Sequence, residues 1–272
     1  MRRIAGRDIV KTLIIINVVI YVLCAFTGQR GVYESGLFQF MALHTPSVMQ
    51  GQVWRLLTAQ YLHWNVGHIF VNMLGLFFLG RALAMDWGTK QFIAVYTIAG
   101  LLGNVFYVTL TLVGWLPMQG VAAGASGCVL GLLGAAAVRY PHAEIWVYFL
   151  FPIKIRTAAL IFAGLYVLNL FTRGENAGGD ACHLAGLAFG AWWAFRGEYW
   201  WRRARFRMGE GRSSVTRAAA PTTFEGRVQG RREDAETIDR ILKKVYEGGI
   251  HSLSEAEKQA LQQATQRQRD SV

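Results

Sequence analysis

The sequence predicts an all-α polytopic membrane protein in which six transmembrane helices form one bundle. Two observations carry this reading: long stretches without a charged side chain, and positive charge gathered beside them. No Asp, Glu, Lys or Arg occurs in residues 91–138, nor in 12–29, 56–80, 157–172 or 181–195. A hydrocarbon core of about 30 Å takes about 20 apolar residues per helix. A soluble chain of 272 residues, 53% hydrophobic, would interrupt such stretches with solvent-facing charge.

The net charge of +11 invites a nucleic-acid reading, but its placement excludes one. Arg2, Arg3, Arg7 and Lys11 precede the first apolar run, and Arg196, Arg202, Arg203, Arg205 and Arg207 close the last. Positive flanks mark the cytoplasmic side, so both termini are expected inside and the number of spans is even. The basic start also resembles a signal peptide. The run 12–27 is long for one and further spans follow, so it reads as a retained helix. Cys24, Cys128 and Cys182 all lie in apolar runs and form no disulfide framework.

The spans fall near 9–27, 66–85, 91–113, 126–139, 156–172 and 181–200. Segment 28–65, with Gly31, Gly36, Pro46 and Gly51, reads as a long external loop lying in the interface. Segment 140–155, with Pro141, Pro152, Lys154 and Arg156, reads as an internal re-entrant or interfacial turn. Arg81, Lys90, Arg139, Lys154 and Arg156 then fall inside, and only Arg30, Arg55 and Arg173 outside. From Ser126 to Val138 there are 13 residues, about 20 Å of helix at 1.5 Å per residue. That is too short to cross, so the fourth helix is expected to begin inside the bilayer. Residues 114–125, glycine-rich and with Pro117, are poorly suited to helix. Irregular backbone at that depth needs burial in protein or access to water. A water-filled pocket open to the outside is therefore predicted.

After Trp201 the composition changes, which divides the chain into a membrane domain 1–201, a linker 202–233 and a helical hairpin 234–268. Ile238, Ile241, Leu242 and Val245 have helical spacing, Gly248-Gly249 ends that helix, and Ser252-Leu-Ser-Glu255 reads as the capping box of the next. A solvated tail, packing weakly or binding a cytoplasmic partner, is the reading adopted.

Polar residues inside spans are costly and should have partners. Ser126, in Gly124-Ala125-Ser126-Gly127, begins the short helix, where free backbone N–H groups and the positive dipole end suit a developing oxyanion. Taken alone, a serine among glycines in a membrane helix is usually packing. His183 lies beside Gly186 and Gly190, a GxxxG face that admits close helix approach, and Gly127, Gly131 and Gly134 offer the matching face. If the two meet, His183 stands beside Ser126 as general base. A lone histidine at a helix start is more often a structural hydrogen-bonder; the pairing raises it. His68 and Asn72, four residues apart, share one helix face and supply donors for an oxyanion, or else merely bond a neighbouring loop.

These motifs, His68-x-x-x-Asn72, Gly124-Ala-Ser126-Gly127 and His183-x-x-Gly186-x-x-x-Gly190, resemble those of the rhomboid proteases, as does Trp54-Arg55 in the first loop. The resemblance covers roughly residues 10–200. It implies a six-helix bundle with a Ser126–His183 dyad, no third acid and no cofactor, and an oxyanion site lined by His68, Asn72 and the Ser126 backbone N–H. It also implies single-span membrane proteins as substrates, cut in or near their transmembrane segments, and residence in a bacterial inner membrane. The sequence departs from the family pattern at three places. Leu130 stands where a tyrosine usually packs on the histidine, Ala84 (with Asp86 nearby) where an acid usually serves Arg55, and Cys182 where alanine usually precedes the histidine.

Other chemistries fit less well. There is no His-Glu-x-x-His for a zinc protease. Gly178-Gly179-Asp180 has Ala177 where an aspartyl protease needs another spacing, and no second intramembrane Asp. Cys128 occupies the last glycine of a soluble nucleophile elbow. A metal set from Cys128, Cys182, His183 and His68 is conceivable. The rival from another class is a catalytically weak relative that binds and routes membrane clients; such relatives typically lack the Ser, the His or both. A transporter would carry more intramembrane charge and internal repeats. A serine must meet an extended peptide bond, so substrates with broken helices are expected.

Overall fold

The computed structural model describes residues 2–147, 151–201, 239–241, 243–247 and 249–261. It divides into two compact units, 1–208 and 209–272.

Among the described residues, the first unit is a bundle of six main helices with short elements between them. Helix α1 (Arg2–Thr27) leads into a loop carrying three short helices, α2 (Gly36–Met41), α3 (Thr45–Met49) and α4 (Arg55–Thr58). Then come α5 (Val66–Trp87), α6 (Thr89–Leu112), α7 (Ser126–Arg139), α8 (Ile155–Phe171) and α9 (Ala177–Trp192), the last running into a π-turn at Trp193–Gly197. Residues 9–27 of α1, α5 and α6 are each long and apolar enough to cross a membrane; α7 and α8 are shorter apolar helices. Outward faces of α1 and α8 expose Val19, Leu23, Phe26, Leu160, Leu165 and Phe171. An aqueous surface would not carry apolar patches of that kind, but lipid would match them.

Helix α7 sits at the centre, touching α5, α6, α8 and α9, and nearly all its side chains are buried. Its small residues are the reason: a Cβ on Gly186 would collide with the Gly127 carbonyl, one on Gly190 with the Gly131 carbonyl, and one on Gly134 with the Leu187 carbonyl. The two glycine faces predicted to meet do meet, backbone against backbone. On the other side of α7, Leu76, Leu83, Phe92, Tyr96 and Leu132 form the main core with Val10 and Leu13 of α1.

Two segments differ from expectation. The turn expected at 140–155 contains an antiparallel pair, β3 (Glu144–Val147) and β4 (Phe151–Lys154), with Glu144 opposite Lys154. Pairing satisfies backbone groups that a bare turn beside Pro141 and Pro152 would leave free. The loop after α1 is built rather than irregular, and its β1 (Leu43–His44) pairs with β2 (Val121–Ala122) just ahead of α7.

In the second unit, helical residues 239–241 and 243–247 end at Gly249, whose φ of 73° suits glycine. The next helix is capped by Ser254 and not by Ser252. The Ser254 N–H donates to Glu257 Oε2 at 2.7 Å, and the Glu257 N–H to Ser254 Oγ at 3.3 Å. The Ser252 hydroxyl turns back to the Gly249 carbonyl instead, at 2.7 Å. The linker expected at 202–233, and the ends of the hairpin, lie outside the described residues.

Candidate active site

Ser126 is the first residue of α7, and the chain reaches it through Gly124 at φ 150°, tied down by its N–H to the Ala59 carbonyl at 2.9 Å. A side chain at Gly124 would meet the His68 ring at 2.9 Å and Ser126 Oγ at 3.3 Å. Only glycine leaves that space open. Directly after an irregular segment, Ser126 sits in a helical first turn whose N–H groups have no partner within the helix.

Across the glycine seam, His183 Nε2 lies 2.7 Å from Ser126 Oγ, although the two are 57 positions apart. Both line a cavity of about 940 Å³, together with His68, Asn72 and Gly124. His68 stands on the first turn of α5, which Asn65 caps by accepting the His68 N–H at 2.8 Å. The Trp64 N–H points to His68 Nδ1 in a long 3.5 Å contact, which leaves Nε2 as the proton-bearing nitrogen facing Gly124. Asn72 donates to the His68 carbonyl at 2.9 Å, so one of its amide hydrogens stays within the helix.

The structure brings Ser126, His183, His68, Asn72, Gly124 and Gly127 to one cavity. Gly131, Gly186 and Gly190 lie deeper in the α7–α9 seam. Trp54 and Arg55 lie apart from the site and organise the first loop. Trp54 stacks on Phe40 and donates to its carbonyl at 3.2 Å. Arg55 is buried and donates to the carbonyls of Gln39 and Ala42, at 2.6 and 2.7 Å, and to Gln52 Oε1 at 2.7 Å. These partners are neutral oxygens, two of the backbone and one of the Gln52 side chain. Asp86 belongs to the far end of α5, where Arg139 donates to it at 2.7 Å and Tyr140 at 3.2 Å.

The candidate metal set is not assembled. The Cys128 thiol turns to Gln60 Oε1 at 3.2 Å and the Cys182 thiol to Asn104 Oδ1 at 3.7 Å. Among the described residues no three metal-ligating side chains converge.

Two neighbours of His183 escaped the sequence reading. Tyr166 of α8 packs its ring against the imidazole, centroids 4.7 Å apart and planes at 54°. The ring sought on α7, where Leu130 stands, thus arrives from another helix. Asp180, one turn before His183, presents Oδ1 3.3 Å from Nδ1. The helix begins at Ala177, earlier than the apolar run suggested, so Asp180 is helical and buried. Asn169 and Asn176 both donate to its carboxylate, the latter at 3.0 Å. The rule that intramembrane polar groups need partners was the available signal, since Asn169 and Asp180 flank the same short loop.

The sequence is similar to several known proteins. The chain is 26% identical over 203 residues to RHOMBOID-like protein 12, mitochondrial, of Arabidopsis thaliana, covering 70% of this chain and 59% of that one. It is 30% identical over 154 residues to Rhomboid-like protease 1 of Toxoplasma gondii, covering 57% and 50%. To Rhomboid protease GluP of Bacillus subtilis it is 34% identical over 99 residues, covering 36% and 18%. The chain thus spans little more than half the length of these curated relatives, or less. Residues 228–267 match a family of unknown function, DUF6576. Residues 50–199, more than half the chain and the whole of the cavity described above, match the Rhomboid domain, and the protein is a membrane-integrated member of the rhomboid family.

Proposed function

We propose that this protein is an intramembrane serine endopeptidase that hydrolyses peptide bonds in or near the transmembrane segments of other membrane proteins. The observation that carries the reading is the 2.7 Å contact between Ser126 Oγ and His183 Nε2 inside a cavity lined by further polar donors. His183 Nε2 takes the hydroxyl proton as Ser126 attacks the carbonyl carbon, then returns it to the leaving amine. The oxyanion meets the Ser126 backbone N–H, His68 Nε2–H and the second amide hydrogen of Asn72. Gly124, free of a side chain, lets the extended substrate backbone approach.

The six main helices of the first unit are read as six crossings, with α7 entering only part way and the cavity opening to the outer side. The basic flanks at both ends of this bundle favour a cytoplasmic location for both termini, as in a bacterial inner membrane. Single-span proteins are the expected substrates, and the helical tail is expected to engage a cytoplasmic partner.

The reading as a client-binding relative without catalysis rests on Leu130 and Ala84; Tyr166 supplies the ring that Leu130 lacks, and Arg55 meets neutral oxygens where the family pattern has an acid. An activated serine is the discriminating property. A fluorophosphonate probe should label the reconstituted protein at Ser126, and Ser126→Ala and His183→Ala should abolish the labelling. Equal labelling of His183→Ala would contradict the dyad.

A further inference from the structure

We propose that Asp180 is a positioning residue for His183, completing a Ser126–His183–Asp180 triad; this rests on the proposed serine-protease reading. For Nε2 to accept the Ser126 proton, the neutral imidazole must carry its own hydrogen on Nδ1. Nδ1 is buried and has no hydrogen-bond partner in line, and the Asp180 carboxylate oxygen at 3.3 Å is the acceptor beside it. Brought into line, that oxygen would accept the Nδ1 hydrogen. Unpartnered, that buried N–H would favour the other tautomer, with the hydrogen on Nε2 and the base disabled.

The carboxylate is itself held from three directions. Asn169 on α8 donates to Oδ2, and Asn176 ahead of α9 donates to Oδ1. The α9 backbone fixes Asp180 one turn from the histidine. Asp180 is 3% exposed, so the carboxylate meets no bulk water that would weaken its effect on the ring. As the imidazolium forms during attack, the facing carboxylate stabilises it and stays unprotonated. Tyr166 packs against the ring at a tilt of 54°, and Asp180 faces its Nδ1 edge.

The test uses the full chain in liposomes, with a labelled single-span substrate and ¹⁵N-histidine NMR. The His183 resonance is assigned by its loss in His183→Gln. Wild type is expected to show neutral His183 with its hydrogen on Nδ1. In Asp180→Ala the population should move toward the Nε2–H form, with kcat down at least ~10-fold and KM little changed. Asn169→Ala, which removes one of the carboxylate's two amide donors but keeps the carboxylate, should shift the tautomer and lower kcat in the same direction as Asp180→Ala, by less. A merely structural Asp180 would lower the melting temperature of both variants alike and leave the tautomer as in wild type; that result overturns the proposal. So does a wild-type His183 already protonated on Nε2, a measurement that needs no Asp180 variant to fold. Ser126→Ala separates the two readings. If it is inactive while Asp180→Ala matches wild type, the triad fails and the serine protease stands. If Ser126→Ala still cleaves, the underlying reading fails.

Discussion

Along the α7 side of α9, glycine lets main chain touch main chain. Along the α8 side, Tyr166 and Asn169 reach across with long side chains. His183 stands between these two seams. The first fixes how far the imidazole is from Ser126, because two backbones in contact cannot be adjusted by a rotamer. The second fixes how the ring is turned, through an aromatic face and a braced carboxylate. Distance and orientation are therefore set by different chemistries, and they should fail in different ways.

The largest effect should come from breaking the glycine seam. A methyl on Gly186 runs into the Gly127 carbonyl, which neither helix can move without parting α7 from α9. Gly186→Ala is expected to destabilise by the ~1–3 kcal/mol of an overpacked core or more. Even where folded, it should lose about 10²-fold in kcat/KM through misplacement of the base. Thermal melting and cleavage in the same liposomes check both.

Next is a change outside both seams. Arg55→Ala leaves the Gln39 and Ala42 carbonyls without their charged donor, and such bonds contribute ~1.5–3 kcal/mol each. Melting should fall clearly, while fluorophosphonate labelling of the protein still folded stays near wild type, because Arg55 does not line the cavity.

On the side-chain seam, Tyr166→Leu removes an aromatic contact of ~0.5–1.5 kcal/mol. The expected loss in kcat/KM is then about two- to tenfold, with melting little changed. Tyr166→Phe, which keeps the ring, should stay close to wild type.

The smallest effect is a pH dependence. His63, buried in the loop before α5, has its pKa lowered by burial from 6.5 to about 3, with the neighbouring His68 adding to the shift. Its ring remains neutral in the folded protein while the unfolded chain takes up a proton below pH 6.5. Its contribution to stability is therefore whole above pH 6.5 and declines progressively as pH falls toward 3. His63→Phe should flatten that part of the melting-temperature profile and leave the part above pH 7 unchanged.

Much of the glycine seam was legible because spacing alone encodes it: Gly127, Gly131 and Gly134 repeat along one helix, Gly186 and Gly190 along another. The start of α7 at Ser126 was legible from the glycine-rich stretch with Pro117 just ahead of it. The side-chain seam was not legible. Tyr166 and Asn169 lie in an unremarkable apolar run, and nothing in their spacing says which helix they face. Asp180 was lost for a physical reason: a charge ends an apolar window, so the helix was expected to begin after it. A carboxylate that is braced by two amides can enter a buried stretch of helix. The sequence reading takes Ser252-x-x-Glu255 as the tail's capping box and overlooks Ser254-x-x-Glu257, which overlaps it. Only the turn after Gly249, which draws the Ser252 hydroxyl backward, selects the second.

The central claim is that Ser126 and His183 act together on a peptide bond within the membrane. The most direct measurement is cleavage of a labelled single-span substrate by the purified full-length protein in liposomes, beside Ser126→Ala and His183→Ala. The account predicts a discrete product from wild type and none from either variant, with substrate binding retained in both. Wild-type protein that binds single-span proteins across a broad panel and cuts none of them, or a Ser126→Ala variant that cuts as wild type does, would contradict it.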